Sequence, residues 1–428
     1  MLTVLGSLAI LTLLALILLR VTSVVVALTL VPVAFALAAG LWREIGAFAL
    51  AGVQSVAPVA ALLAFAVVYF GVMNDAGLFA PGIRALIRNV GRDPVRIALG
   101  TAAIASIAHL DGAGASTFMI TIPALLPLYQ RVGMDPRALT CITGLAAGTM
   151  NMLPWGGPTT RAAAALHVGM NALFVPVLPA LAAGMLCVFA FAAWIGRQEA
   201  RRIAATGAPP EDANETGDEA ASLPARWPFN ATLTVVTLFA LFAEVLPPAI
   251  IFVIASAIAL LVNAPNAQEQ RERLTAHGSN AMLMVTTLLA AGVFTGILTR
   301  SGMLASISND LLSVLPGGAL RHLPVFVGLA SMPLSLAFDP DSFYFGLLPV
   351  LASAAQAAGG SGIEVGRAAV LGQMTTGFPV SPLTPATFLL VGLAGVDLAD
   401  HQRKSIPYAF ATTAVMTAVA LASGAIRW

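Results

Sequence analysis

The sequence predicts an all-α polytopic membrane protein made of two inverted repeats, each with five transmembrane helices and a re-entrant hairpin. Three observations lead there. Of 428 residues, 58% are hydrophobic and 10% charged, with a mean hydropathy of +0.90, which leaves too little polar surface for a soluble globule of this length. Landmark residues recur along the chain at one constant offset. Pro and Gly also interrupt apolar segments of membrane length, where lipid has nothing to offer an opened backbone.

The offset is 225: YFGVMNDAGLF at 69–79 reappears as FTGILTRSGML at 294–304, pairing Gly71 with Gly296 and Gly77 with Gly302. It also places Pro154 on Pro379, Thr159 on Thr384, Thr117 on Ser342, Phe118 on Phe343 and Arg96 on Arg321. Apolar segments match by chance, but Gly, Pro and Thr seldom do so at a single spacing, and the halves are therefore read as repeats.

Repeat one occupies residues 1–195, with spans expected at about 2–19, 22–40 and 57–74 and an amphipathic stretch at 42–55. The first apolar run has no basic residue before it and no clear small-residue cleavage site after it, so it is read as a span and not as a signal peptide. In LFAPGIRALIRNVGRDPVR the arginines at 84, 88, 92 and 96 recur every four residues, the pattern of one face of an interfacial helix. Residues 97–109 and 116–129 are too short to span twice, and DGAGAS between them predicts a hairpin over about 97–129 with its tip inside the protein. A broken span is expected at 138–170 and a fifth span at 173–195. Residues 196–228, rich in Pro, Gly and acids, form a linker. Repeat two, 229–428, carries expected spans at 229–246, 248–263 and 281–299, a hairpin at 322–357, a broken helix at 368–396 and a last span at 406–426.

Five spans per half turn the second repeat upside down. With the N-terminus outside, fifteen of the 21 Lys and Arg face the cytoplasm, and five (Arg43, Arg300, Arg321, Arg367 and Arg427) face out. The positive-inside bias thus puts both termini outside and the 196–228 linker in the cytoplasm. A net charge of +1 without a long basic run excludes a nucleic-acid partner. No GxxxxGK[ST] loop occurs, and no soluble segment is long enough for an ATPase. Cys141 and Cys187 read as small core residues. The histidines at 109, 167, 277, 322 and 401 lack metal-ligand spacing, and His109, near the first hairpin tip, reads as a satisfied interior histidine.

Polar residues at membrane depth cluster in four breaks: HLDGAGASTF and LAFDPDSFYF at the hairpin tips, MNMLPWGGPTTRA and TTGFPVSPLTPATF in the broken helices. Opened carbonyls there suit a cation, and half-helix N-termini suit an anion. A carboxylate at membrane depth is costly enough to mark a pathway, which assigns cation or proton handling to Asp111, Asp339 and Asp341; the bland alternative is a helix cap. Ser116, Thr117, Asn151, Gly156, Gly157, Thr159, Ser342, Ser381, Thr384 and Thr387 are assigned to substrate, although Ser and Thr at helix starts also cap. Arg161 is the basic residue expected inside a span. Its guanidinium suits a polycarboxylate, with neutralisation of Asp111 as the alternative. Trp155, Phe343 and Tyr344 are wall candidates whose default is packing.

LDGAGASTFMITIPALLPLY, NMLPWGGPTTRAA, AAGVFTGILT and SPLTPATFLLVGLAGVDLADHQR resemble the motifs of the bacterial citrate–divalent-metal:proton symporter family (CitMHS), in the ion transporter superfamily. The resemblance runs through both halves and weakens in the linker. It implies a dicarboxylate-symporter-like, elevator-type homodimer in the bacterial inner membrane. Its implied partners are citrate complexed with an Mg- or Ca-like divalent ion, protons and membrane lipids, with no permanently bound cofactor. The family's second tip has an Asn-Asp pair; here Asp341 keeps the matching acid and Asp339 is a departure. The nearest alternative is a proton- or sodium-coupled permease for another organic anion, gluconate or a dicarboxylate. A reading from a different class, an intramembrane aspartyl protease, would use two Asp as acid and base. Its acids would lie within spans and not at Gly-rich tips, and the repeat would be left unexplained.

Overall fold

A computed structural model of the chain describes residues 1–19, 21–81, 91–206, 224–243, 245–314 and 322–428. Arg20, Arg84, Arg88, Arg321 and most of the expected linker lie outside them. Among the described residues there is no strand.

The first half runs α1 (Leu2–Leu18), α2 (Val24–Ala38), α3 (Ile45–Asp75), α4 (Pro94–Ala108), α5 (Gly114–Val132), α6 (Pro136–Met150), α7 (Gly157–Leu166), α8 (Met170–Phe174) and α9 (Leu178–Thr206). The second runs α10 (Trp227–Phe242), α11 (Pro248–Asn263), α12 (Ala267–Arg300), α13 (Met303–Val314), α14 (Leu323–Leu334), α15 (Leu348–Ala357), α16 (Gly362–Ala369), α17 (Pro385–Ala394) and α18 (Leu398–Ala422). Local chemistry explains several starts. Asp93 and Asp135 each precede a Pro at the first helical position, and their carboxylates accept from Val95 N at 3.0 Å and Arg137 N at 2.8 Å, joining an N-cap to a residue that lacks an N–H to satisfy.

The expected division into an amphipathic stretch at 42–55 and a span at 57–74 does not occur. α3 is a continuous helix of 31 residues that carries Pro58 inside it. A single Pro removes one donor and can bend a long helix without ending it when packing holds both sides. α12 likewise extends beyond the expected 281–299 by a polar N-terminal stretch. Among the described residues, four segments can cross a membrane by length and composition: Ile45–Asp75, Met170–Ala205, Ala281–Arg300 and Leu398–Ala422. Other apolar helices are shorter because loops and breaks cut into the hydrophobic runs; α1, at 17 residues, rises about 26 Å against a hydrocarbon core of about 30 Å.

α3 and α12 pack along each other at glycines. A Cβ on Gly296 would stand 2.6 Å from the Phe48 carbonyl oxygen and 2.7 Å from Gly52 Cα, and one on Gly71 would stand 2.5 Å from the His277 ring. Lipid is as apolar as Leu, so close backbone approach through small residues decides which helices pair in a membrane. The crossing repeats itself: 225 residues separate Gly52 from His277, and 225 separate Gly71 from Gly296. The hairpin contacts are reciprocal too, with α5 packed on α17 and α15 packed on α7.

Candidate functional site

The first tip is a 3-10 turn, His109–Asp111, closed by Gly112 at φ 72°. Only a residue without a Cβ enters this left-handed region without strain, and a Cβ there would also sit 3.2 Å from Trp155 Cδ1. Asp111 turns back on its own helix: Oδ1 accepts from Ala113 N at 2.8 Å, and Oδ2 accepts from Ser116 Oγ. Thr117 donates to the Ala113 carbonyl at 2.9 Å and lies 2.8 Å from His109 Nδ1. Trp155 Nε1 donates to the Leu110 carbonyl at 2.8 Å, tying the first break to the first tip.

At the second tip Asp339 does the capping. Its Oδ1 accepts from Asp341 N at 3.0 Å and Ser342 N at 3.1 Å, and its Oδ2 from Ser342 Oγ at 2.5 Å. In role, therefore, Asp111 is matched by Asp339; the offset of 225 puts Asp341 on Ser116. Beyond Asp341 the chain enters a π turn, Ser342–Leu347, a wide turn that re-aims side chains and recurs at functional sites.

Side chains satisfy much of the backbone opened by the broken helices. Thr159 donates to the Met152 carbonyl at 2.8 Å, Thr387 to the Phe378 carbonyl at 2.7 Å and Ser381 to the Ser335 carbonyl at 2.5 Å. Asn151 Nδ2 donates to the Met374 carbonyl at 2.6 Å, and His401 Nε2 lies 2.8 Å from the Pro379 carbonyl. Gly156 and Gly157 permit the turn into α7: a Cβ on Gly156 would stand 2.9 Å from the Leu153 carbonyl oxygen, and one on Gly157 2.5 Å from Met374 Cε. Most of the hydroxyls assigned to substrate from sequence thus hold the breaks together.

What remains converges on a cavity of about 320 Å³ bordered by Ile17, Val24, Arg161, Asp339, Pro340, Asp341, Met374, Leu383, Thr384 and Pro385. Arg161 Nε donates to Asp341 Oδ1 at 2.7 Å, with the two side chains 13% and 17% exposed. Arg161 therefore pairs with Asp341 and not with Asp111, whose carboxylate is committed to its own cap. Breaking such a partly buried pair from one side leaves an uncompensated charge, at a cost of roughly 3–5 kcal/mol. Thr384 is the N-cap of α17, makes no side-chain cap bond, and keeps a buried Oγ1 without a partner among the described residues. Its hydroxyl and the positive end of α17 suit a carboxylate oxygen. A larger cavity of about 430 Å³, near His167, Thr299 and Gln356, is lined by no acid and by none of the expected site residues.

Met374 escaped the sequence reading. It adopts a left-handed φ of 55°, lends its carbonyl to Asn151, and sets its sulfur 3.5 Å from Arg161 Nη1. Nothing in GQMTTG marks a Met for that conformation. Gln373 beside it donates to the Phe338 carbonyl at 3.3 Å and accepts from Ser335 Oγ, linking the second break to the second hairpin.

The family model for the CitMHS citrate transporters matches residues 8–372. A Bacillus subtilis (strain 168) citrate transporter is 42% identical over 430 residues, covering all of both chains. A Mg(2+)/citrate complex secondary transporter of that strain is 41% identical over 431 residues, covering 100% of this chain and 99% of the relative. Among solved structures, the YdaH transporter of Alcanivorax borkumensis superposes with a TM-score of 0.64 at 15% identity, over 90% of this chain and 89% of its own. MtrF of Neisseria gonorrhoeae does so with a TM-score of 0.59 at 13% identity, over 90% and 85%. These two likenesses speak to the helical fold alone.

Proposed function

The chain belongs to the CitMHS citrate transporter family, and from that premise we propose that it takes up citrate complexed with a divalent metal ion, driven by protons. It is an integral membrane transporter and not an enzyme. The observation that carries the proposal is the 320 Å³ cavity, in which Arg161 of the first half meets Asp341 and Thr384 of the second. One cavity then offers a cation, an acid and a free hydroxyl at a helix N-terminus, a set that suits a cargo containing both a hard metal ion and carboxylates. Among the described residues no group of three or more His, Cys, Asp or Glu stands close enough to hold a metal. In this reading the metal arrives with citrate, whose carboxylates supply oxygen ligands of the kind Mg and Ca prefer.

Charge explains the need for protons. Citrate is a trianion at neutral pH, and its complex with a divalent ion keeps one negative charge. An interior-negative membrane opposes entry of that charge by about 2.3 kcal/mol per 100 mV. Two or more accompanying protons make the translocated unit positive, so the potential then drives uptake. Asp111, at the first hairpin tip, is the proposed proton carrier, while Asp341 stays ionised towards the metal and Asp339 braces the second tip.

The architecture proposed around this site is a pair of inverted repeats with an elevator motion, assembled as a dimer in the inner membrane. Reciprocal contacts at an offset of 225 support the inversion. In this orientation Ile17 and Val24 lie at the cytoplasmic ends of α1 and α2, and the cavity borders that side.

Proteoliposome uptake of radiolabelled citrate tests the proposal. Under an inward proton gradient, uptake should require a divalent ion of the Mg or Ca class and should collapse with a protonophore. Equal uptake in excess chelator, or uptake indifferent to the gradient, overturns it.

A further inference from the structure

We infer that the Arg161–Asp341 pair is the specificity element of this site, admitting a divalent cation and a carboxylate together and disfavouring either alone. The inference rests on the metal–citrate reading above. A planar guanidinium and a carboxylate ordinarily meet through two parallel hydrogen bonds. Here there is one, Arg161 Nε to Asp341 Oδ1 at 2.7 Å, and Nη1, on the opposite edge of the guanidinium, lies 3.4 Å from the Gly157 carbonyl and 3.5 Å from Met374 Sδ. Arg161 Nη2 and Asp341 Oδ2 are left without a hydrogen-bond partner among the described residues, and both residues border the same cavity.

That geometry presents a donor and an acceptor side by side with opposite full charges. A free polycarboxylate drawn to Nη2 meets the repulsion of Asp341, and a free dication drawn to Oδ2 meets that of Arg161. Pulling the pair apart to suit either one would strand the other charge away from water. A metal–carboxylate complex fits without breaking the pair. The metal sits towards Oδ2 and a citrate carboxylate towards Nη2, so four charges alternate around a ring and every neighbour is of opposite sign. Asp339 does not compete for the metal, since both its oxygens are held by the Asp341 and Ser342 amides and the Ser342 hydroxyl. Discrimination arises here from repulsion of each wrong ligand as much as from attraction of the right one.

The test is equilibrium binding of radiolabelled citrate to the purified full chain in nanodiscs, with saturating Mg or with chelator, and of Mn alone as a cation probe. Wild type should favour the Mg–citrate complex over free citrate. Asp341→Asn should lower that preference by at least about tenfold, through weaker binding of the complex and stronger binding of the free anion. Arg161→Gln should strengthen binding of Mn without citrate by about tenfold. The double variant Arg161→Gln/Asp341→Asn removes both charges and should lose the preference for the complex. It decides the matter if either single variant fails to elute as a monodisperse protein. Wild type that binds no metal–citrate defeats the functional reading and this inference with it. Wild type that prefers the complex, with the preference kept within about twofold in the folded single or double variants, overturns the specificity assignment alone.

Discussion

Thr384 and Thr387 lie one helical turn apart at the start of α17, and one hydroxyl is spent while the other is free. Thr387 Oγ1 closes the break by donating to the Phe378 carbonyl at 2.7 Å, whereas Thr384, a residue bordering the cavity, keeps a buried Oγ1 with no partner among the described residues. Thr384→Ala should therefore weaken metal–citrate binding by the value of one hydrogen bond to a charged group, about 1.5–3 kcal/mol, with thermal stability unchanged. Thr159→Ala should do the reverse, lowering the unfolding temperature by stranding the buried Met152 carbonyl, at about 1–3 kcal/mol, and Thr387→Ala should lower it less, since the Phe378 carbonyl also accepts from Ser381 N at 3.3 Å. Binding isotherms beside thermal melts of the three variants separate the roles; equal loss of binding in all three would refute the division. The sequence named all three threonines but not their division of labour, since a free hydroxyl is distinguished only by what the folded backbone offers nearby. The acids divide in the same way: the sequence sets Asp111, Asp339 and Asp341 alike at the two tips, while in three dimensions Asp111 and Asp339 share the capping role and Asp341 answers to Arg161, 180 residues away in sequence.

At the scale of helices, the α3–α12 crossing is where the fold leaves least room. A Cβ on Gly52 would come within 2.8 Å of Gly296 Cα, whereas Gly278, on the same α12, has nothing within 4 Å of the place a Cβ would take. Gly52→Val should cost at least about 2 kcal/mol through forced separation of the two backbones. Gly278→Ala should be neutral or stabilising by up to about 1 kcal/mol, as expected for an uncrowded helical glycine. Detergent-solubilised melting curves of the two variants check the pair, and a Gly52→Val protein as stable as wild type would disprove the close packing. Elements were legible wherever Gly, Pro and Asp punctuate the chain. DGAGAS marks the turn between α4 and α5, and PWGGPT the break between α6 and α7. Legibility failed where local chemistry and packing disagree: a division is expected between 55 and 57, yet α3 runs on through Pro58, with α12 packed against it at Gly52 on one side of that residue and at Gly71 on the other. The second break, between α16 and α17, spans 370–384 and is far longer than the first, at 151–156. That asymmetry rests on Gln373, Met374 and His401 as supports, and none of them carries a turn signal.

Across the whole molecule, the ion pairs that join separate helices outside the cavity fit the two faces of the proposed topology. Asp75 pairs with Arg273 at 2.7 Å, Lys404 with Glu199 at 3.5 Å and Asp400 with Arg137 at 3.9 Å, all assigned to the cytoplasmic side. Glu364 pairs with Arg427 at 3.2 Å, and Arg367 donates to the Ala172 carbonyl at 3.0 Å, all assigned to the outer side. Arg202 and Arg427, 225 residues apart, pair with Glu199 and Glu364, and the proposed topology assigns the two pairs to opposite faces. An inverted repeat requires such an arrangement, because equivalent residues must emerge on opposite sides of the bilayer. A parallel repeat would bring them out together. The assignment makes a definite labelling pattern in a background with Cys141 and Cys187 replaced by Ala. Arg43→Cys, beside the exposed Trp42 at the outer end of the second expected span, should react with a membrane-impermeant maleimide in intact cells. Arg201→Cys, exposed near the end of α9, should react only after permeabilisation. Labelling of Arg201→Cys in intact cells would invert the protein in the membrane. Labelling of both from one side would break the odd number of spans between them and, with it, the inverted relation of the halves.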